Sequence, residues 1–134
     1  GTPETIQLIQ SIEHPYPLNT LTLHIALFMF EHIDKTRTFI EHQRALAVRL
    51  RQMFQDNVSD IMKVFPSSTN FVLTKGSAAQ SLGLYIDHGF LPRPYDEPNM
   101  NDYVRYSIAT DDQLDQLEQL IKSWRSQYDI SKET

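Results

Sequence analysis

At 134 residues, 40% hydrophobic and 22% charged, the chain has the size and composition of one ordinary globular domain rather than a disordered polymer. A net charge of −5 argues against the basic surface that wrapping nucleic acid requires, and the lack of cysteine excludes a disulfide framework, a thiolate nucleophile and a cysteine-ligated zinc site. That lack also suits a reducing, cytoplasmic setting, and the most apolar run, Leu21 to Phe30, is broken by Thr22 and His24 and is too short to span a membrane.

Thr2-Pro3-Glu4 opens a first helix, with Thr2 as cap and Pro3 at the first helical position, where a missing N–H costs nothing. Ile6, Ile9 and Ile12 give it a short apolar stripe. His14-Pro15-Tyr16-Pro17 stops it, because two prolines remove donors and force extended geometry on the residues before them. Asn19 or Thr20 caps a second helix, roughly Leu21 to Asp34, which is apolar on nearly every side: Leu21, Leu23, Ile25, Leu27, Phe28, Phe30 and Ile33. Such a helix needs cover all round. A chain of this length seldom supplies it, so another domain or a second subunit is expected against it. A third helix, about Thr36 to Asn57, carries the stripe Phe39, Leu46, Leu50 and Met53, while Arg44, Arg49 and Arg51 lie on a solvated face bracketed by Glu41 and Asp56.

Phe71-Val72-Leu73 is the first strand. Ser77-Ala78-Ala79-Gln80 has the capping-box pattern and starts a helix ending at His88-Gly89, with Gly89 suited to the left-handed cap. Phe90 to Pro94 is a short strand that Pro92 and Pro94 confine to a sheet edge or an irregular segment. Asp96 to Asn101 is a polar turn. From Tyr103 to Ala109 the chain alternates, with Val104, Tyr106 and Ile108 on one face and Tyr103, Arg105, Ser107 and Ala109 on the other. Thr110 and Gln113 form a capping box, and Asp111 and Asp112 suit the positive end of the helix that follows. Leu114, Leu117, Ile121, Trp124 and Tyr128 are its apolar stripe, and its tail from Ser131 is expected to fray. Three helices, a strand, a helix, two strands and a helix predict a small α+β domain, with an antiparallel or mixed sheet of three or four strands and helices on one face.

No catalytic machine is legible in these residues. The five histidines contain no His-x-x-x-His pair, and His24 and His32 are eight apart, so no metal site is expected. His88 at a helix end suits the dipole, and Ser77 serves better as a cap than as a nucleophile. The paired carboxylates Asp96-Glu97 and Asp111-Asp112 fall on a loop and a helix start rather than in a buried dyad. Arg105 remains. On the strand pattern alone it is a surface arginine on the wet face of a half-buried sheet, or a guanidinium that a rigid element aims at an anion.

Five stretches in order bear on that choice: Thr2-Pro3-Glu4, Pro15-Tyr16-Pro17-Leu18-Asn19, Pro66-Ser67-Ser68-Thr69-Asn70-Phe71-Val72-Leu73, His88-Gly89-Phe90-Leu91-Pro92-Arg93, and Tyr103-Val104-Arg105-Tyr106-Ser107-Ile108-Ala109-Thr110. Together they resemble the C-terminal small domain of the fold-type I, pyridoxal-phosphate-dependent aminotransferases, nearest the histidinol-phosphate aminotransferase branch. The resemblance covers nearly the whole chain. It implies that residues 1–34 are a helix, a proline-rich loop and a connecting helix associated with a large domain upstream of Gly1, and that residues 35–134 are the small domain. It implies transfer of an amino group between an amino donor and a 2-oxo acid, pyridoxal phosphate as cofactor, and a homodimeric parent in the cytoplasm.

In the family that this chain resembles, the imine-forming lysine and the cofactor cradle belong to the large domain. Lys35, Lys63, Lys75, Lys122 and Lys132 stand in none of the matching contexts, so the chain alone is expected to carry no catalytic residue, hold no cofactor and be inactive. Its implied share is substrate recognition. Arg105 matches the arginine aimed at the substrate carboxylate, Arg93 a second arginine lining the same pocket, and Asn70 a common asparagine before the Phe-Val-Leu strand. Two departures stand out: Ala109 where the family often has glycine, and Arg93 set between two prolines. Two other readings remain open. One is a pyridoxal-phosphate-dependent decarboxylase of an amino-acid phosphate; the other is a non-catalytic α+β regulatory module that binds a ligand.

Overall fold

The computed structural model describes residues 1–12, 18–86, 90 and 92–133. The proline-rich linker and the Gly89 cap read from the sequence lie outside the described residues. The chain divides into two compact units, Gly1–Phe39 and Ile40–Thr134.

The first unit contains α1 (Pro3–Ile12), α2 (Thr20–Glu31) and the opening turns of α3 (Ile33–Val58), a helix that ends in the second unit. Thr2 caps α1 as expected, its Oγ1 accepting from the Thr5 N–H at 3.3 Å. Asn19, rather than Thr20, caps α2, its side chain accepting from the Thr22 N–H at 2.8 Å. The second helix is shorter than the apolar run suggested, because His32 leaves helical geometry at φ −116° and ψ 46°. Its ring stacks on Phe28 at 4.2 Å, and its backbone N–H donates to the Phe28 carbonyl at 3.1 Å. The Thr36 hydroxyl then donates to the Met29 carbonyl at 2.9 Å. Two of the last carbonyls of α2, those of Phe28 and Met29, are thus satisfied without continuing the helix. No residue of α1 or α2 is buried, and Leu23, Leu27 and Phe30 are 47%, 61% and 75% exposed. Phe39, assigned to the core stripe from its spacing, is 60% exposed.

The second unit is a four-stranded sheet with helices on one face. Its strands are β1 (Lys63–Val64), β2 (Phe71–Lys75), β3 (Arg93–Pro94) and β4 (Tyr103–Ser107), in the order β1-β2-β4-β3 with every pairing antiparallel. β1 was not foreseen: two residues are too few to show an alternation. β3 takes an edge, as its prolines required, and so does β1. Val72, Val104 and Tyr106 turn inward onto Leu50 and Phe54 of α3, Leu82 and Ile86 of α4 (Ser77–Ile86), and Leu114, Ile121 and Trp124 of α5 (Asp111–Glu133).

Polar groups inside this core are paired. The buried Thr74 hydroxyl donates to the Val104 carbonyl at 3.1 Å. The Tyr106 ring meets Phe54 at 4.5 Å and its hydroxyl donates to the Ala79 carbonyl at 3.4 Å, while burial pushes its phenol above the ordinary range. Gly83 lets α4 lie close to the sheet, since a Cβ there would stand 3.3 Å from Val104 Cγ1.

The two capping boxes read from the sequence fare differently. At α5 the box forms: Gln113 Oε1 accepts from the Thr110 N–H at 3.1 Å, and the Gln113 N–H donates to Thr110 Oγ1 at 3.4 Å. At α4 it does not. Gln80 donates to the Asn101 carbonyl at 2.5 Å, and Gly76, with φ +122°, turns the chain into the helix instead. α5 continues to Glu133, past Ser131.

Carboxylate clamps tie α3 and the turn after it to α5. Arg125 donates to both Asp60 oxygens, at 2.6 and 2.8 Å, and to Asp129 at 2.8 Å. Arg49 reaches Asp111 at 3.3 Å and pairs with Asp115.

Three outcomes follow from this packing. Leu82, fully enclosed, lies at the centre of the core, and Leu82→Ala is expected to cost about 2–5 kcal/mol in urea unfolding through the lost contacts and the cavity left behind. Asp60 is held by Arg125 below its ordinary value of 3.8. A depressed folded value means that the pairing contributes fully above the unfolded value and is lost as pH falls through the lower, folded one. The melting-temperature gap between wild type and Asp60→Asn should therefore be widest near neutrality and close as pH falls below the ordinary aspartate value. The exposed apolar face of α2 should drive concentration-dependent self-association in sedimentation velocity, and Leu27→Glu with Phe30→Glu should suppress it.

Candidate functional site: an arginine pair on the open sheet face

Alternation assigns each strand residue of the second unit to one of two faces. Val72, Thr74, Val104 and Tyr106 are buried towards the helices. Phe71, Leu73 and Lys75 of β2, with Tyr103, Arg105 and Ser107 of β4, take the opposite face. Arg93 of β3 is the direct register partner of Arg105. Their Cα atoms are thus about 5 Å apart, and two guanidinium groups share one stretch of the face. Lys63 of β1 is likewise the direct partner of Lys75. Like charges placed opposite one another weaken a ladder, yet the open face carries two such pairs in a chain that is acidic overall.

Aromatic rings, more than carboxylates, hold these four cations. Lys63 lies 4.5 Å from the Phe65 ring centroid, Lys75 4.8 Å from that of Tyr103, Arg93 5.6 Å from that of Tyr95 and Arg105 5.3 Å from that of Phe71. Phe65 and Tyr103 also stack on each other at 5.7 Å. Asp102, 3.8 Å from Lys75, is the one carboxylate paired with any of the four among the described residues. The Tyr103 hydroxyl, and after it the Asp102 charge, raise the Lys75 ammonium above its ordinary value.

Arg105 is half-buried, and its Nε is enclosed without a hydrogen-bond partner. A buried donor left unpaired is costly, so a guanidinium in that state is open to an acceptor. Arg93 is exposed and in no ion pair among the described residues. The structure thus brings Arg93 and Arg105 together. It places Asn70 differently: exposed, just before β2, its carbonyl accepting from the Ile108 N–H at 2.9 Å, which lengthens the β2–β4 ladder. The Asn70 side chain makes no hydrogen bond among the described residues.

Several other titratable residues are engaged elsewhere. Lys122 pairs with Glu118 at 2.6 Å, His24 Nδ1 lies 3.0 Å from the Thr20 carbonyl, and His42 lies 3.4 Å from Asp111. Among the described residues no three His, Asp or Glu side chains converge to hold a metal ion, and no helix is long and apolar enough to cross a membrane. A cleft of about 500 Å3, lined by Gln80, Gly83, Leu84, Pro94, Tyr95 and Val104, lies beside β3 and shares Tyr95 with Arg93.

Sequence reading missed the rings beneath the cations. Two were open to it, since Lys63-x-Phe65 and Arg93-x-Tyr95 place cation and ring two residues apart, on one face of an extended chain. The other two, Phe71 with Arg105 and Tyr103 with Lys75, exist only through the register of β2 on β4.

No family model matches the chain. It is 26% identical over 117 residues to histidinol-phosphate aminotransferase 2 of Legionella pneumophila, a match covering 84% of this chain and 30% of that protein. It is 25% identical over 134 residues to histidinol-phosphate aminotransferase 2 of Psychrobacter arcticus, covering 95% and 34%. Among solved structures, the crystal structure of histidinol-phosphate aminotransferase from Sinorhizobium meliloti in complex with pyridoxal-5'-phosphate superposes with a TM-score of 0.64 at 21% identity, over 96% of this chain and 36% of that one. A putative aminotransferase from Burkholderia pseudomallei gives 0.68 at 19% identity, over 93% and 38%. The chain spans about a third of the length of the curated relatives it matches. In sequence this chain is similar to part of the histidinol-phosphate aminotransferases, and it shares the α+β fold of a portion of the aminotransferase structures on which it superposes.

Proposed function

We propose that the chain acts as the small-domain part of a pyridoxal-phosphate-dependent aminotransferase of the histidinol-phosphate or aromatic type, in which Arg105 and Arg93 grip the anionic group of the substrate. The observation that carries this reading is the arginine pair: two guanidinium groups opposed across β3 and β4, with an enclosed, unpartnered Nε on Arg105. A guanidinium meets a carboxylate or phosphate through two parallel hydrogen bonds, which fixes orientation as well as charge. An anion seated there would also relieve the repulsion within the pair. Asn70, beside the end of this face, joins the site as a lesser contact.

Lys63, Lys75 and Lys122 do not fit an imine-forming role. Lys122 is paired with Glu118, Lys63 and Lys75 lie over rings, and the raised value of Lys75 opposes the deprotonated amine that imine formation needs. The cofactor is accordingly assigned to the remainder of a longer polypeptide, where it would supply the electron sink while this chain orients the substrate. In the same reading residues 1–34 connect to a large domain that covers the apolar face of α2, residues 35–134 form the small domain, and the parent is a cytoplasmic homodimer. Its substrates are an amino donor and a 2-oxo acid.

The test is paired kinetics and melting of the full-length parent, with an amino donor and 2-oxoglutarate. Hydrogen bonds to charged groups are worth about 1.5–3 kcal/mol each, so Arg105→Ala should lower kcat/KM on the order of 10²-fold. Arg105→Lys should recover only part of this, since an ammonium lacks the planar fork. Melting temperature should hold, because Arg105 faces away from the core. Near-normal kinetics in Arg105→Ala would return it to a plain surface role. Release of carbon dioxide in place of amino transfer would assign the parent to the decarboxylases.

A further inference from the structure

We infer that Phe71 is a positioning residue for Arg105: its ring sets where the guanidinium stands while leaving the positive charge unneutralised for an anion. The inference rests on the anion-binding reading of Arg105 and adds to it the residue on which that arginine's orientation depends.

Phe71 lies on β2 two residues before Leu73, the direct cross-strand partner of Arg105. Phe71 and Arg105 are therefore diagonal neighbours on the open face, at a spacing that long and aromatic side chains can bridge. The guanidinium carbon is 5.3 Å from the ring centroid, within the range in which the negative face of a ring attracts a cation. Arg105 has no carboxylate partner among the described residues, and its Nε has no acceptor. An arginine loses considerable rotamer freedom when it is ordered. With no ion pair to offset that loss, the ring is the group that holds it.

The chain holds other arginines in another way. Arg125 of α5 is clamped by Asp60, in the turn after α3, and by Asp129 of its own helix, while Arg49 of α3 is clamped by Asp111 and Asp115 of α5. A carboxylate orients a guanidinium firmly but occupies the hydrogen-bonding edge that a ligand would need. A ring attracts from the face and leaves that edge free. Both arginines of the open face are ring-held, Arg93 by Tyr95 at 5.6 Å and Arg105 by Phe71. Carboxylates are thus used where an arginine ties the fold together, and rings where it faces outward with its charge intact.

Phe71 is half-buried and stands outside the hydrophobic core cluster, so its ring can be replaced without opening the core. Phe71→Leu should leave the fold and the Arg105 charge in place but let the guanidinium wander.

The test uses the 134-residue chain, titrated with inorganic phosphate and followed through the arginine Nε–Hε resonances by NMR. Phosphate affinity should fall about three- to tenfold in Phe71→Leu and be retained in Phe71→Tyr, which keeps the ring. The melting temperature should stay unchanged, and Arg105→Ala should abolish the response. If Arg105→Ala weakens phosphate binding but Phe71→Leu does not, the role of Phe71 is overturned and the anion site stands. If Arg105→Ala leaves phosphate affinity unchanged, the anion-site reading falls and the positioning role with it. Should Phe71→Leu lose its folded spectrum, Phe71→Met decides on the same terms.

Discussion

Antiparallel pairing of β2 with β4 organises the second unit. Five consecutive partners, from Phe71 with Ser107 to Lys75 with Tyr103, set which side chains meet. On one face Val72 and Tyr106, then Thr74 and Val104, turn towards the helices, and the Thr74 hydroxyl locks the alignment by donating to the Val104 carbonyl. A slip of one residue would exchange the faces, driving Arg105 into the core and Tyr106 into water. The cost of burying an unpaired guanidinium rules that register out. The same register that builds the core therefore also presents the arginine.

The two faces of the sheet treat charge differently. On the helix side, acidic residues outnumber basic ones and are put to use: Asp60 and Asp129 fix Arg125, while Asp111 and Asp115 sit near the positive end of α5 and receive Arg49. On the open side four cations stand over four rings with a single carboxylate among them. A net charge of −5 for the whole chain conceals this local reversal. Clefts near a surface of one sign focus the field on a ligand of the other, and under the proposed function that ligand is the substrate anion.

α2 presents a different kind of incompleteness. Its apolar residues are exposed, and the helix ends cleanly at His32 without burying any of them. Apolar area left in water is unfavourable at about 25 cal/mol per Å2, so a helix of this composition is suited to being covered. In the curated relatives, each roughly three times the length of this chain, there is more polypeptide available to do so.

The sequence by itself determined the elements whose cause is local. The alternation that opens at Tyr103, the Thr110 and Gln113 box, a helix cap at Asn19 or Thr20 and the stripe of α5 all depend on residues within a few positions of one another, and short-range sterics and hydrogen bonding decide them. The ordered motifs also carried the resemblance to the aminotransferase small domain, which the relatives and solved structures match. Other features needed the tertiary structure. β1 is only two residues long and exists because β2 offers it a partner. Gln80 gave up its box for the Asn101 carbonyl, 21 residues away, which the fold brings within reach. Above all, the pairing of Arg93 with Arg105 and the placing of Phe71 beneath Arg105 are consequences of strand order and register. Those are properties of contacts between distant segments, which no local pattern of residues contains.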